Sequence, residues 1–193
     1  MNSGKSTALL QAAFNYEERG QQVIVAKPSI DTKGEVAIVS RLGVTRSVDV
    51  LIAPGDDVHA LLSRHRARVL AETGRDVSCV LIDEAQFLSA VQVDDLMRLA
   101  LNEAIPVIAY GIRTDFQSVA FPGSRRLLEI AHSLEELKTI CRCGKKALFN
   151  GRLIDGRFVF DGDQVAIDEG KVTYESLCGS CYLQESGGAL SPA

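Results

Sequence analysis

The 193-residue sequence contains no apolar run that approaches the roughly 20 residues of a membrane-spanning helix. Its first residues also lack the apolar core of a secretory signal peptide, so we expect a cytoplasmic protein whose thiols stay reduced. The five cysteines are therefore not expected to form disulfides. A surplus of positive charge is absent as well: the formal net charge is −4, which gives no electrostatic reason to expect a nucleic-acid partner. We expect a soluble globular protein with neither membrane nor nucleic acid as a partner.

Helical and strand patterns alternate through most of the sequence. Apolar residues recur at helical spacing in segments that we predict to be helices, at 5–19, 56–72, 91–102 and 123–132. Apolar or β-branched runs between them predict strands at 22–27, 36–39, 77–84 and 105–111. This alternation is typical of an α/β fold in which helices cover both faces of a mostly parallel sheet.

The pattern changes after residue 137. Short β-like pieces then alternate with glycines and cysteine pairs, and no long helical pattern follows. We therefore predict a larger domain over 1–137, a small β-rich domain over 138–184 and a disordered tail over 185–193.

The sequence begins with MNSGKST, which resembles the end of a phosphate-binding loop. The full motif, G-x-x-x-x-G-K-[ST], holds phosphates with backbone N–H groups and its lysine, and holds Mg²⁺ with its hydroxyl. Lys5 and Ser6 match the last two positions, with Thr7 beside them, but the first glycine is missing. The alternative is a helix capped by Ser3, with Lys5 on the surface. We favour the loop, because a helical pattern follows it directly and an apolar strand ending in two acids lies downstream.

A phosphate-binding loop normally follows a buried strand, and the sequence has no residues before MNSGKST that could form one. We therefore expect that the sequence as printed is short at its N-terminus. A loop without its strand would be unanchored, so the phosphate-binding motif requires a strand before it more than any other part of the sequence requires a missing segment.

Two carboxylates, Asp83 and Glu84, end the apolar run in LIDEAQF. Asp83 fits the acid that accompanies Mg²⁺ in P-loop enzymes, and Glu84 is suited to accept a proton from a nucleophile. The alternative is a pair of solvated carboxylates at a strand end. The dipeptide alone leaves open whether the nucleophile is water, as in a hydrolase, or a hydroxyl group, as in a kinase.

Isolated side chains elsewhere could complete a nucleotide site. Arg41 and Arg113 could reach phosphates, although a lone arginine is more often a surface residue. Phe87 and Phe116 could enclose a flat base, although a lone phenylalanine is more often part of the core.

Four of the five cysteines form two pairs near the end of the sequence, at Cys141, Cys143, Cys178 and Cys181. Pairs separated by about 35 residues of β-like sequence are close to zinc-ribbon spacing, which predicts a structural Cys₄ zinc site with no open coordination position. The first pair is one residue closer than usual, which leaves open whether both of its cysteines bind the metal. His132 is the nearest histidine, but it lies in a helical pattern and is more consistent with a structural role. We expect Cys79, on the apolar strand, to be a core residue.

The motifs of this sequence follow one another in a particular order: GKST, SRLG, DEAQF, YGIRTDFQ, TICRCG and YESLCGSC. In this order they resemble the type II thymidine kinases, the zinc-containing, cellular-type family that is also common in bacteria, from Met1 to about Tyr182. The resemblance implies a RecA-like P-loop domain followed by a small zinc-ribbon-like domain, whose loop, the lasso, closes over the nucleoside. It implies transfer of the γ-phosphate of ATP, with Mg²⁺, to the 5′-hydroxyl of thymidine, giving dTMP for DNA synthesis. It also implies a homotetramer that is inhibited by thymidine triphosphate.

The resemblance assigns roles to individual residues. It implies that ATP is bound by Met1, Asn2, Ser3, Gly4, Lys5, Ser6, Thr7, Arg41, Asp83, Glu84, Ala85 and Gln86. It implies that thymidine is bound by Phe87, Ile112, Phe116, Asn150, Val165, Ala166, Ile167, Asp168 and Tyr174. In these assignments Glu84 is the catalytic base, Tyr174 stacks on the nucleoside, Met1 also lies close to the thymine, and the backbone of 165–168 reads the base edge.

The sequence departs from the family pattern in two further places. AIDEG stands where a Gly-Gly usually follows the isoleucine of the lasso, and the first cysteine pair is CxC rather than CxxC.

Two other functions remain open. A single-lobe P-loop ATPase or switch would explain GKST and DEAQ, but nucleic-acid motors need two RecA-like lobes and a basic surface, which this chain lacks. An inert zinc-ribbon adaptor with a truncated phosphate loop would explain the cysteines alone.

Overall fold

The structure is a computed structural model that describes residues 4–29, 37–39, 43–164 and 171–190. These residues divide into two compact units. The large unit comprises Gly4–Gly111 and Pro122–Leu134. Among the described residues, the small unit comprises 112–121, 135–164 and 171–190. Residues 112–121 therefore group with the small unit, although they precede the predicted boundary at residue 137.

The large unit alternates helices with strands. Its strands are β1 (Gln22–Pro28), β2 (Ala37–Val39), β3 (Thr45–Ser47), β4 (Val50–Ile52), β5 (Val77–Ile82) and β6 (Val107–Ala109). Its helices are α1 (Lys5–Glu17), α2 (Val58–Thr73), α3 (Ala90–Asn102) and α4 (Pro122–Ile130). Four of the strands form a parallel sheet in the order β4-β1-β5-β6, and β2 and β3 form a separate antiparallel pair. The predicted α/β fold with a parallel sheet is confirmed.

Apolar side chains cover both faces of the parallel sheet. Neighbouring residues along a strand face opposite sides, so Ile24 and Val25 of β1 enter different cores. Ile24 packs in a cluster with Leu62 of α2 and Leu96 of α3, whereas Val25 packs in a cluster with Leu9 of α1. Because both faces of β1 and β5 are buried, these strands are continuous apolar runs, which is why the sequence predicted them.

The ends of several elements differ slightly from their predicted positions, for local reasons. The helix predicted from residue 56 begins at Val58, because Asp57 is its N-cap and accepts a hydrogen bond of 2.8 Å from the backbone N–H of Ala60. The helix predicted from residue 91 begins one residue earlier, after a capping box between Ser89 and Gln92. The strand predicted to reach residue 84 ends at Ile82. The three-residue strand β4 was not predicted, since so short a segment carries no alternation.

The small unit is rich in β-structure, as predicted. Its elements are β7 (Thr139–Ile140), β8 (Lys146–Ala147), β9 (Phe149–Ile154), β10 (Arg157–Val159), β11 (Val172–Leu177) and the helix α5 (Gly179–Glu185). An antiparallel sheet has the order β10-β9-β11, and β7 pairs with β8. Phe149 and Phe160 pack against the ring of Tyr182, whose hydroxyl donates to the carbonyl oxygen of Phe116 at 2.8 Å. This aromatic core ties segment 112–121 to the small sheet.

The end of the chain continues past the predicted start of the tail at residue 185. After α5, the backbone N–H of Ser186 donates to the carbonyl oxygen of Tyr182. The backbone N–H of Gly188 donates to the carbonyl oxygen of Leu183. Residues 191–193 lie outside the described residues. No helix within the described ranges has the length and apolar character that crossing a membrane requires.

Candidate active site and metal centre

Helix α1 presents the GKST residues at its first turn. Gly4 is the N-cap, with a φ of 75°, a conformation that glycine adopts without strain, and its carbonyl accepts the N–H of Ala8 at 2.9 Å. The N-cap position is thus Gly4, and Ser3 lies outside the described residues. Lys5, Ser6 and Thr7 are half-buried in the first turn. The N–H groups at the start of a 13-residue helix lack partners within the helix and favour a negative group, so this end of α1 is suited to phosphate.

Asp83 lies directly after β5 and is almost fully buried. Its backbone N–H donates to the carbonyl of Ala26 on β1 at 2.9 Å, and its Oδ1 accepts the N–H of Glu84 at 3.0 Å. Burial, and then the charge of Glu84, raise the pKa of Asp83 to about 6, while Lys5 and Lys27 act in the opposite direction. A buried carboxylate flanked by two lysines is suited to a site where a cation and phosphates bind together.

Glu84 is held in an unusual backbone conformation beside a buried amide. Its φ is 48°, in the left-handed region that non-glycine residues seldom adopt. Nε2 of Gln86 donates to Oε2 of Glu84 at 2.5 Å, and Gln86 is buried. The strained turn directs the half-buried Glu84 out of the strand, and the amide fixes one of its oxygens, which leaves a carboxylate able to accept a proton.

Two glycines allow other segments to approach this turn. A Cβ at Gly111 would lie 2.9 Å from Oε1 and 3.2 Å from the backbone nitrogen of Gln86. A Cβ at Gly123, in the first turn of α4, would lie 2.6 Å from the carbonyl oxygens of both Ala85 and Leu88. The 3-10 turn Ala85–Phe87 is therefore enclosed by backbone that only glycine permits.

Lys27 is a site residue that the sequence did not indicate. It lies near the carboxyl end of β1, is 7% exposed and lowers the pKa of Asp83. On β1 it faces the same side as Val23 and Val25, which is the side that α1 covers. A lysine at the end of a predicted buried strand was the available signal, because buried lysines are rare without a counter-charge.

The remaining predicted nucleotide and nucleoside residues fall in different parts of the chain. Those outside the described residues are Met1, Asn2, Ser3, Arg41, Val165, Ala166, Ile167 and Asp168. Phe87 is half-buried in the large unit, whereas Arg113 is an exposed residue of the small unit.

Four predicted nucleoside residues belong to the small unit, at Ile112, Phe116, Asn150 and Tyr174. Nδ2 of Asn150 donates to the carbonyl oxygen of Thr114 at 3.0 Å, which links β9 to the segment that carries Phe116. Asn150 and Tyr174 lie on the adjacent strands β9 and β11.

The four paired cysteines converge in the small unit. The sulfur atoms of Cys141, Cys143, Cys178 and Cys181 all lie within 4.8 Å of one another, and those of Cys143 and Cys178 are 3.5 Å apart. Four thiolates at about 2.3 Å from a tetrahedral Zn²⁺ would be about 3.8 Å apart, so the spacing fits zinc. Both cysteines of the close first pair reach the cluster, and the exposed His132 does not belong to it.

Local structure explains how each pair reaches the cluster. Cys141 opens the turn between β7 and β8, where the N–H of Gly144 donates to its carbonyl at 2.8 Å and Gly144 has a φ of 84°. Cys178 is the N-cap of α5, which places Cys181 in the first turn of that helix.

The thiols of the cluster have divergent pKa values. Burial alone would raise the pKa of Cys141, but backbone N–H groups of Cys143 and Cys178 lower it to about 6. Interactions with the other three thiols raise the pKa of Cys181 to about 12. Four thiols this close cannot all ionise without a cation among them, so the donor set suits a divalent metal. Cys79, in contrast, is fully buried in the large core, as expected.

Comparison with known proteins gives a consistent result. A family model described as thymidine kinase matches residues 1–182. The thymidine kinase of Enterobacteria phage T4 is 46% identical over 180 residues, covering 92% of this chain and 89% of that protein. The thymidine kinase of Mesorhizobium japonicum is 44% identical over 191 residues, covering 98% of this chain and 90% of that protein. That of Legionella pneumophila strain Paris is 42% identical over 194 residues, covering the whole chain and 90% of that protein. The family predicted from the order of the motifs is confirmed: the chain belongs to the thymidine kinase family.

Proposed function

We propose that the protein is a transferase that moves the γ-phosphoryl group of ATP to the 5′-hydroxyl of thymidine. The observation that carries this proposal is the arrangement at the end of β5 in a chain of this family, where Asp83 lies near Lys5 and Glu84 is held by Gln86. A buried acid with two lysines suits the phosphate end of a nucleotide, and a fixed carboxylate suits the removal of a hydroxyl proton.

Each residue of this arrangement has one proposed task. Lys5 and the first turn of α1 bind the phosphates of ATP and neutralise their charge. Ser6 and Asp83 would hold Mg²⁺, which would supply charge stabilisation for the phosphoryl group during transfer. Glu84 accepts the proton of the 5′-hydroxyl as the hydroxyl oxygen attacks the γ-phosphorus, and Gln86 keeps the accepting carboxylate oriented. The bond between the γ-phosphorus and the β–γ bridging oxygen breaks in the same step, and ADP leaves with that oxygen.

Recognition of the nucleoside is assigned from the family resemblance. We propose Ile112, Phe116, Asn150 and Tyr174 as thymidine-binding residues, and the resemblance assigns Phe87 to the same role. The other residues predicted to bind ATP or the base, Arg41 and 165–168 among them, keep the roles given by the resemblance. The homotetramer and the place in pyrimidine salvage for DNA synthesis also stay predictions of the resemblance, and the cytoplasmic location stays a prediction from the sequence itself.

The metal proposed for the cysteine cluster is structural Zn²⁺. Four thiolate ligands complete a tetrahedron and leave no position for water or substrate, so we propose no chemistry at this site. Its role is to stabilise a unit whose apolar core among the described residues is small.

Product analysis tests the proposed function against its alternatives. Purified protein is incubated with ATP and Mg²⁺ and with thymidine, a purine deoxynucleoside, single-stranded DNA or no addition, and the products are separated by chromatography. Thymidine monophosphate formed in equal amount to ADP, and only with thymidine, is the expected result. ADP formed with DNA and without a phosphorylated nucleoside would instead support the ATPase, and failure to bind ATP would support the zinc-ribbon adaptor.

A further inference from the structure

Arg152, on β9, is buried to an extent that is unusual for a residue that is always charged. Only 1% of its surface is exposed. Within the described part of the chain its Nε–H has no hydrogen-bond partner, and its other nitrogens donate to backbone carbonyls, with no carboxylate among these acceptors. Burying a charge in this way stabilises a protein less than a well-packed apolar side chain would, so its presence suggests a task other than stability.

The guanidinium of Arg152 joins two segments of the small unit. One nitrogen donates to the carbonyl oxygen of Asp163 at 2.8 Å and another donates to that of Asp161 at 2.6 Å. Its central carbon lies 3.7 Å from the ring centroid of Phe116, close enough for a stacked cation–π contact. Gly162 separates the two carbonyls with a φ of 102°, and a Cβ there would lie 2.8 Å from the guanidinium. The backbone is therefore shaped around this one side chain.

Further hydrogen bonds join the same two segments beside Arg152. Nε2 of Gln164 donates to Oδ2 of the buried Asp115 at 2.8 Å. Nε2 of Gln117 donates to the carbonyl oxygen of Phe160 at 3.0 Å. Oδ1 of Asp115 accepts the backbone N–H groups of Gln117 and Val119, at 2.8 and 2.9 Å, which fixes the turn after Phe116.

We propose that Arg152 is a positioning residue for thymidine binding, which acts by fixing the ring of Phe116 against the segment 160–164. This inference rests on the proposed function, because the contact between Phe116 and the base is itself a proposal. The planar fork of arginine can donate to both carbonyls while its face lies on the ring, whereas the point charge of lysine cannot do both. An arginine placed to fix an aromatic ring controls substrate affinity and has no part in proton transfer.

The test compares Arg152→Lys and Arg152→Met with the wild-type protein. Arg157→Lys and Arg157→Met are matched controls, because Arg157 is an exposed arginine on the neighbouring strand. For Arg152→Lys we expect the KM and the calorimetric Kd for thymidine to rise roughly tenfold, the scale of one misaligned charge-assisted contact. The KM for ATP and the zinc content should stay within about twofold of the wild type. Both Arg157 variants should match the wild type.

Each outcome decides the role of Arg152. An unchanged thymidine KM in Arg152→Lys, in a wild-type protein that binds and phosphorylates thymidine, overturns this role alone. Loss of zinc or of the thermal transition in Arg152→Lys makes Arg152 a general structural residue and also overturns the role. Failure of Arg152→Met to fold leaves Arg152→Lys to decide the question. A wild-type protein that neither binds nor phosphorylates thymidine overturns the proposed function, and the role of Arg152 with it.

Discussion

Gln86 donates a hydrogen bond of 2.5 Å from Nε2 to Oε2 of Glu84. The two residues are only two positions apart, and the bond forms because Glu84 adopts a φ of 48° before the 3-10 turn Ala85–Phe87. Gln86 itself is buried. The carboxylate of the proposed base is thus oriented by a buried neighbouring amide.

Removal of the amide donor should slow the chemical step more than it weakens thymidine binding. Gln86→Met takes away the hydrogen bond that orients Oε2 of Glu84, so kcat should fall by about tenfold while the KM for thymidine stays within about twofold of the wild type. The control is Gln11→Met, which removes an exposed amide on α1. A wild-type kcat in Gln86→Met would show that the amide does not orient the base.

Lys27 should support Asp83 electrostatically. In Lys27→Met the pKa of Asp83 should rise above its value of about 6, because a cation that lowers it is lost. Half-maximal activity should then need several times more Mg²⁺ at pH 7, and the deficit should shrink at pH 8.5, where Asp83 is ionised in both proteins. Lys27→Arg keeps the positive charge, so its Mg²⁺ requirement should stay close to that of the wild type. Lys171→Met, which replaces an exposed lysine, should behave as the wild type. A Mg²⁺ requirement that does not change in Lys27→Met would contradict this prediction.

The raised pKa of Asp83 should also cost stability at neutral and alkaline pH. Its pKa is about 6 in the folded protein against an ordinary value of 3.8, so the folded state holds its proton more tightly. Proton binding to Asp83 therefore contributes about 2–3 kcal/mol to the free energy of unfolding. This contribution is fully present below pH 3.8 and is lost as the pH rises through 6. Asp83→Asn should therefore melt at a higher temperature than the wild type at pH 8, by about 2–4 °C for each kcal/mol, and lose this advantage near pH 4. Glu72→Gln, an exposed control, should show no such trend.

Gly123 tests the close approach of α4 to the turn after Glu84. A Cβ there would lie 2.6 Å from two carbonyl oxygens, so Gly123→Ala must displace the helix or the turn. We expect a loss of about 1–3 kcal/mol in the free energy of unfolding, together with a lower kcat. Gly55→Ala is the matched control, because a Cβ at Gly55 meets nothing within 4 Å. Full activity and stability in Gly123→Ala would mean that the turn tolerates movement.

Metal analysis should find one Zn²⁺ per chain. Cys143→Ser should lower the zinc content, since Cys143 belongs to the cluster although it is exposed, whereas Cys79→Ala should retain the metal. Chelation of the wild-type protein should expose four reactive thiols and remove a thermal transition. Full zinc content in Cys143→Ser would leave Cys143 outside the ligand set.

The sequence predicted those features that depend on local patterns. Asp83 and Glu84 could be placed at a strand end because both faces of β5 are buried, which makes the strand a continuous apolar run. The cysteine cluster could be predicted from spacing, because a turn after Cys141 and a helix after Cys178 each bring a pair together.

Other features depend on contacts between distant segments, and no local pattern carries them. Arg152 meets Phe116 only because residues 112–121 group with the small unit, which their position in the chain does not suggest. Lys27 is identified by its burial beside Asp83, which follows from the parallel pairing of β1 and β5. The helix α5 is seven residues long, too short for its apolar spacing to stand out.

The proposed transfer from ATP to thymidine is tested most directly by a single-turnover assay with ATP labelled at the γ-phosphate, comparing the wild type with Glu84→Gln. Glu135→Gln, an exposed glutamate, serves as the control. We predict that the wild type and the control transfer the label to the 5′-oxygen of thymidine. We also predict that Glu84→Gln binds both substrates normally but reacts about 10²–10⁴ times more slowly. Transfer at the wild-type rate by Glu84→Gln would contradict the assignment of the base, and absence of labelled thymidine monophosphate with the wild type would contradict the proposed function.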